Sequence, residues 1–430
     1  MSTILLKPLS KKISRSINIP GSKSYTNRAL IMASLASGNS TLHNYSLSAD
    51  SLSLIKVLKE LGIIIKQNKK VIIIKGNAGK FKSFIGRFNM KAAGTSSRFI
   101  VALAALIPGK IIVDGSDRLR QRPISELAEA IKDLGAKINY LQQEGHLPLQ
   151  IEGGKLNKNV VAINGFVSSQ YFTALLLVAA LFKEGLTINV LGEQVSKSYI
   201  DMTIDSLRDF GIKVENKRYK QYFVSPKQKY QAIDYQVEID ASGSSYFFAI
   251  AAITGSRIRV NNLSRQSLQG DAQFPWLLEK MGCIVIEDKQ KNWIEVTGPQ
   301  QLKGIETNME SMPDTAQTLA VVAAFAQGKT KITGLSTLRV KETNRLAATN
   351  FELAKMGIDS KITSNSIEII GGDPKKAMIE TYKDHRMAMS FAVAGAKLVG
   401  MQILDPAVVN KSFPSFWKEL EKLGINIKEI

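Results

Sequence analysis

A single pattern recurs six times along the chain. A helical apolar period ends in Leu, Met or Phe followed by Gly, and an alternating strand pattern begins. The copies run Val57-Leu-Lys-Glu-Leu-Gly-Ile-Ile-Ile65, Ala130-Ile-Lys-Asp-Leu-Gly-Ala-Lys-Ile138 and Ser206-Leu-Arg-Asp-Phe-Gly-Ile-Lys-Val214, then Leu277-Leu-Glu-Lys-Met-Gly-Cys-Ile-Val285, Glu352-Leu-Ala-Lys-Met-Gly-Ile-Asp-Ser360 and Glu419-Leu-Glu-Lys-Leu-Gly-Ile-Asn-Ile427. One Leu-Gly after a helix is an ordinary cap, because glycine takes the left-handed conformation at C′ without a Cβ clash. Six, at positions 62, 135, 211, 282, 357 and 424, make a repeat of roughly 70 residues. A second strand ending in Gly often follows, as in Val71-Ile-Ile-Ile-Lys-Gly76, Leu149-Gln-Ile-Glu-Gly153, Trp293-Ile-Glu-Val-Thr-Gly298 and Ile367-Glu-Ile-Ile-Gly371. Each unit therefore reads helix, strand, turn, strand.

Units this long exceed the ~20–50 residues of ordinary solenoid repeats and can close into compact domains. A 430-residue chain is also too long for one core, since cores stop growing near ~250–300 residues. Two domains of three units each are expected, with a boundary near residues 226–240 and a ligand cleft between the domains.

Charge narrows the function. Lys and Arg number 57 against 37 Asp and Glu, a formal charge of +20. Such a balance calls for anionic partners. One cysteine, Cys283, excludes an internal disulfide framework, and with only His43, His146 and His385 beside it the chain is poorly supplied for a zinc or iron–sulfur site. In the repeat Cys283 stands where the other copies have Ile63, Ala136, Ile212, Ile358 and Ile425, so it is expected on a buried structural face. The longest apolar run, Ala174–Phe182, is about half the ~20 residues a membrane span needs. No signal peptide or lipidation motif is visible, and a soluble cytoplasmic protein is expected.

Several cations stand in Gly/Ser-rich loops or at helix starts, where backbone N–H groups, hydroxyls and a positive side chain can meet one anion. These are Ile19-Pro-Gly-Ser-Lys-Ser-Tyr-Thr-Asn-Arg28, Ala92-Ala-Gly-Thr-Ser-Ser-Arg98, Asp117-Arg-Leu-Arg-Gln-Arg-Pro123, Ser196-Lys-Ser-Tyr199, Val340-Lys-Glu-Thr-Asn-Arg345, Asp384-His-Arg386 and Asn410-Lys-Ser-Phe-Pro414. Taken singly, each also reads as a helix cap or turn. No P-loop and no Gly-x-Gly-x-x-Gly after a strand is present.

These segments, with Ser168-Ser-Gln170, Asp240-Ala-Ser, Gln269-Gly-Asp271 and Asp384-His-Arg-Met-Ala-Met389, occur in the order found in the EPSP synthase (3-phosphoshikimate 1-carboxyvinyltransferase) family. The chain resembles that family from about residue 16 to its end. The resemblance implies an α/β fold of two similar domains, each three βαβαββ units around a pseudo-threefold axis. It places 20–239 in one domain and 1–19 with 240–430 in the other, so the chain crosses twice. It implies transfer of the enolpyruvyl group of phosphoenolpyruvate to the 5-hydroxyl of shikimate 3-phosphate, with release of phosphate and no metal or other cofactor. The expected partners are these two small molecules, without nucleic acid or membrane, and the expected state is monomeric.

By motif position, Ser24 and Arg28 resemble the residues that hold the shikimate carboxylate, and Ser168, Ser169, Ser196 and Tyr199 its phosphate cradle, with Lys341 nearby. Lys23, Gly94, Arg122 and Gln170 resemble the site for the phosphoenolpyruvate phosphate. Arg345, Arg386 and Lys411 resemble the groups that bind its carboxylate. Asp314 resembles the base on the 5-hydroxyl, and Glu342 and Lys23 the proton-transfer partners. An ion pair of Glu342 with Arg345 is the structural reading of the same residue. Three positions depart from the family pattern: Ala92 stands where Asn is usual, Phe99 where Pro is usual, and Thr337 where Asn is usual, though Thr337 can still hydrogen-bond shikimate. UDP-N-acetylglucosamine enolpyruvyl transferase is the alternative of the same fold, but its usual loop Cys is missing from Asp114–Arg122. A basic nucleic-acid binder is the alternative of another class. It would need exposed aromatics among its cations, and aromatics are only 7%.

Overall fold

The computed structural model describes residues 2–154 and 156–430. The chain forms two compact units, Gly21–Glu238 and Met1–Pro20 with Ile239–Ile430. Each holds its own apolar core.

All six repeat glycines have positive φ, between 75° and 111°. Each ends an outer helix: Ala49–Glu60, Ser125–Asp133, Lys197–Asp209, Phe274–Lys280, Arg345–Lys355 and Phe416–Leu423. Each opens an edge strand: Ile64–Gln67, Lys137–Tyr140, Glu215–Lys217, Ile284–Asp288, Ser360–Ile362 and Asn426–Glu429. The residue after each glycine is buried, including Cys283 and its five counterparts.

Six sheets share one topology among the described residues. In every sheet a strand pairs parallel with the next, and two antiparallel strands complete it. The unit Phe84–Gly153 shows the plan without interruption. Strand Phe84–Asn89 leads to helix Gly94–Ala104, then strand Gly109–Asp114, helix Ser125–Asp133, and strands Lys137–Tyr140 and Leu149–Gly153. This is the βαβαββ order. The strands bury alternate residues: Ile72 and Ile74 are fully buried while Ile73 between them is exposed. Burying such a side chain contributes about 1.5–3 kcal/mol.

Three sheets take a strand from a distant segment. Asp234–Gln236 adds the parallel strand to Ser37–His43. Ser14–Ile17 does the same for Arg257–Asn261, while Thr3–Lys7 lies between Met401–Leu404 and Asn426–Glu429.

The first helix of each repeat is buried nearly all round. In the first unit these are Lys23–Leu35, Gly94–Ala104 and Ser169–Leu176; in the second, Ala241–Thr254, Ala316–Ala324 and His385–Gly395. In the second unit the three pack pairwise against one another. Apolar side chains fill most of their surface, and the polar ones cluster in the first turns, as Asn27, Arg28, Arg98 and Arg386 do. Among the described residues no helix is long and apolar enough to cross a membrane.

Candidate active site

Of the sequence-predicted residues, Lys23, Ser24, Gly94, Ser168, Ser169, Gln170, Asp314 and Arg386 lie at or just before the N-termini of these central helices, where backbone N–H groups and the helix dipole favour anions. In the first unit, Gly21 precedes the helix Lys23–Leu35. A Cβ there would lie 1.6 Å from the Asn44 carbonyl oxygen, so only glycine allows the approach. Ser22 caps the helix, accepting from the Tyr25 amide at 3.5 Å. Lys23 then meets the buried Asp50 carboxylate, Nζ to Oδ2 3.2 Å. Arg28 is buried one turn further on. Its Nε donates to Thr203 Oγ1 (2.8 Å), Nη1 to the Ser24 carbonyl (2.9 Å) and Nη2 to the Tyr199 carbonyl (2.9 Å). Burial lowers its pKa to about 10. Ser24, Arg28 and Tyr199 are thereby brought together.

Gly94 opens the second central helix. A Cβ on it would stand 2.0 Å from Arg122 Nη1, so the guanidinium occupies the space a side chain would need. The Arg122-Pro123 turn is held from behind, since the Pro123 carbonyl accepts from Arg98 Nη2 (2.8 Å) and from the Tyr171 hydroxyl (2.7 Å). Upstream, Asp114 accepts from Arg120 through both oxygens at 2.9 Å and from Arg87. Ser168 caps the third helix and accepts from the Gln170 amide at 3.2 Å, with Ser169 buried beside it. Ser196 lies buried in the left-handed region, φ 53°, just before Lys197–Asp209. That conformation is uncommon for a residue with a Cβ.

The second unit holds a network of alternating charge. Arg345, 1% exposed, donates from Nε to Asp384 Oδ2 (2.7 Å), from Nη2 to Glu342 Oε2 (2.8 Å) and from Nη1 to Asp314 Oδ1 (3.0 Å). Arg386 Nη2 donates to Asp314 Oδ2 at 2.8 Å. Lys341 Nζ stands 3.9 Å from Asp314 Oδ1, and Lys411 Nζ 3.4 Å from Glu342 Oε1. Burial works to raise the Asp314 pKa, but Arg386, Lys341 and Arg345 hold its carboxyl well below the usual range. The same carboxylates raise the Arg345 pKa against the opposing effect of burial. Thr337 is half-buried on the turn Ser336–Val340. Among the described residues no group of His, Cys, Asp and Glu is arranged to hold a metal ion.

A family model of EPSP synthase (3-phosphoshikimate 1-carboxyvinyltransferase) matches residues 8–420. The chain belongs to this family. A 3-phosphoshikimate 1-carboxyvinyltransferase of Trichormus variabilis is 40% identical over 98% of this chain and 99% of its own. One from Escherichia coli is 39% identical over 99% of both chains. The fold matches the EPSP synthase of Acinetobacter baumannii with a TM-score of 0.85, at 24% identity over the full length of both chains. It matches the enolpyruvyl transferase NikO of Streptomyces tendae with a TM-score of 0.79, at 15% identity over 100% of this chain and 98% of that one. Family membership does not favour the UDP-N-acetylglucosamine transferase alternative.

Beside the expected EPSP synthase motifs stand carboxylates that sequence reasoning alone does not single out. Asp50 pairs with Lys23, Asp384 with Arg345, and Asp114 with Arg120. Asp384 belongs to the Asp384-His-Arg386 segment, where a carboxylate can equally face solvent. Its burial follows from its place as N-cap of the third central helix, accepting from the Arg386 amide at 2.8 Å.

Proposed function

We propose that the protein transfers the enolpyruvyl group of phosphoenolpyruvate to the 5-hydroxyl of shikimate 3-phosphate and releases phosphate. One observation carries the reading beyond family membership: Asp314, Glu342, Arg345, Arg386, Lys341 and Lys411 converge in one network that is buried on the arginine side and partly open at Asp314, Lys341 and Glu342. Two carboxylates amid four cations can manage protons and still bind dianionic substrates.

Phosphoenolpyruvate brings a carboxylate and a phosphate; so does shikimate 3-phosphate. Arg345, Arg386 and Lys411 take the first carboxylate. Lys23, Gly94, Arg122 and Gln170 take the first phosphate. Ser24 and Arg28 take the shikimate carboxylate, while Ser168, Ser169, Ser196 and Tyr199, with Lys341, take its phosphate. Thr337 hydrogen-bonds the shikimate ring.

The reaction is addition, then elimination. C3 of phosphoenolpyruvate gains a proton as the 5-hydroxyl oxygen bonds to C2 and gives its proton to Asp314. The tetrahedral adduct then loses a proton from C3 and expels phosphate, restoring the double bond. Glu342 and Lys23 deliver and remove the C3 proton. Lys23 enters this role already paired with Asp50, which fixes its ammonium at the head of the first central helix.

The test is phosphate release from phosphoenolpyruvate by the purified protein, with and without shikimate 3-phosphate. Release that requires shikimate 3-phosphate is expected. No release with both substrates present would overturn the reading.

A further inference from the structure

The second unit contains a buried carboxylate that none of these roles uses. Asp271 lies on the short turn Gly270–Gln273 and is 6% exposed. Gln269 fastens that turn to the start of the helix Ala241–Thr254. Its Nε2 donates to the Ile239 carbonyl at 2.8 Å and its Oε1 accepts from the Ala241 amide at 3.2 Å. Asp271 is thereby brought against Ser242, whose hydroxyl donates to Asp271 Oδ2. The Ser242 oxygen in turn accepts from Arg386 Nη2 at 3.3 Å. Arg386 also donates from Nη1 to the Tyr246 hydroxyl at 3.3 Å, one turn along the same helix.

An ionised carboxylate can only accept, which fixes the direction of the Ser242 hydrogen bond. A serine hydroxyl has one proton. Donated to Asp271, it leaves only lone pairs on the Ser242 oxygen facing Arg386, so the hydroxyl can act there solely as acceptor. Burying a carboxylate is costly unless it is compensated. Desolvation and the neighbouring Asp314 and Asp240 raise the Asp271 pKa, while Arg386 and the Ser242 hydrogen bond act against the rise. The guanidinium is thus shared between Asp314 on one side and the Ser242–Asp271 pair on the other.

We propose that Asp271, acting through the Ser242 hydroxyl, is the positioning residue that steadies Arg386 beside its Asp314 ion pair and aims it at the substrate carboxylate. The inference rests on the assignment of Arg386 to the phosphoenolpyruvate carboxylate.

The test compares the full chain with Asp271→Asn, Ser242→Ala and the double variant, varying each substrate in turn. Losing one hydrogen bond to a charged group is worth about 10–100-fold. Each single variant is therefore expected to raise KM for phosphoenolpyruvate about tenfold or more, and KM for shikimate 3-phosphate should stay within about twofold. The double variant should be no worse than the weaker single one, because both cut one relay. Ser242→Ala removes a single oxygen and keeps the test open if Asp271→Asn does not fold. An unchanged KM for phosphoenolpyruvate in Ser242→Ala, an equal rise in both KM values, or additive losses would overturn the proposal. Nitrogen-15 NMR of the Arg386 guanidinium, assigned with Arg386→Lys, gives a readout independent of substrate. Slow rotation in the wild type and fast rotation in Ser242→Ala is expected, and equal rotation in both would count against the relay. A wild type that releases no phosphate would instead sink the proposed reaction, leaving the NMR comparison to decide the positioning.

Discussion

In the free protein Asp314 is a weak base, because three cations more than offset the effect of burial and hold its proton affinity down. It can accept a proton only as those cations are drawn elsewhere. Anionic substrates would draw them, since each brings a carboxylate and a phosphate to compete for Arg345, Arg386 and Lys341. Substrate binding would then both place the hydroxyl and make the base basic. Asp314→Asn keeps the shape but cannot take a proton at neutral pH. It is expected to lose turnover by ~10²–10⁴-fold while calorimetry still detects shikimate 3-phosphate binding. A binding loss as large as the rate loss would make Asp314 a substrate anchor instead. Cys283 shows the opposite kind of environment. Burial pushes its thiol up to about 12, so almost no thiolate is present at pH 7. A thiol-specific reagent should label it only after denaturation, and Cys283→Ser should keep turnover while losing stability on the order of 1 kcal/mol. The sequence foretold this burial because five other repeats show what the position wants. It could not foretell the partners of the buried arginines in the same way. Arg345 and Asp384 are 39 residues apart, and Arg28 and Thr203 are 175 apart. No local periodicity encodes such pairings.

At the level of single elements, the start of the helix Gly94–Ala104 and the segment 114–123 work as one device. Gly94 leaves room for the Arg122 guanidinium, and Arg98 and Tyr171 fix the turn that carries it. Gly94→Ala must push the flexible end of Arg122 aside. The expected result is a raised KM for phosphoenolpyruvate with a melting temperature close to that of the wild type. A large fall in melting temperature would mean that the helix, not the arginine, had moved. Asp114 anchors the other end of the segment. Burial alone would raise its pKa, but hydrogen bonds from Arg120, Arg87 and the Gly115 amide bring it down to about 2. A carboxyl depressed in this way stabilises the fold above its unfolded pKa of ~4 and loses that contribution as pH falls toward ~2. Thermal melts of Asp114→Asn should therefore depend less on pH between ~4 and ~2 than those of the wild type. Equal slopes would exclude Asp114 as an acid-sensitive anchor. The strands and helices themselves were legible because left-handed glycines punctuate them. The anchoring of the Arg122 segment was not legible. Asp114-Gly-Ser-Asp reads as a generic polar turn, and nothing in it reveals that Arg87 on the neighbouring strand reaches across.

At the scale of the whole molecule, the proposed roles draw on both units. Lys23, Arg122 and Gln170 belong to Gly21–Glu238, and Asp314, Glu342, Arg345 and Arg386 to the other. Neither unit alone carries every group the proposed reaction needs. The sixfold repeat was readable from spacing alone, and so was the number of units. The path of the chain was not readable that way, because Thr3–Lys7 and Ser14–Ile17 look like any short strands and name no partner.

The placement of Thr3–Lys7 also has a consequence for synthesis on the ribosome. This strand is hydrogen-bonded between Met401–Leu404 and Asn426–Glu429. Its partners lie about 400 residues further along the chain. At ~5–20 residues per second the opening strand waits for roughly 20–80 s before either neighbour exists. The longest wait inside the Gly21–Glu238 unit is about half as long, between Ser37–His43 and Asp234–Gln236, since every strand in its sheets is drawn from its own continuous stretch. Nascent chains stalled near residue 270 should therefore already carry a protease-resistant core, while those stalled near residue 400 should gain little more. The second core then closes in one late step, when the carboxyl-terminal strand arrives to flank the first one made.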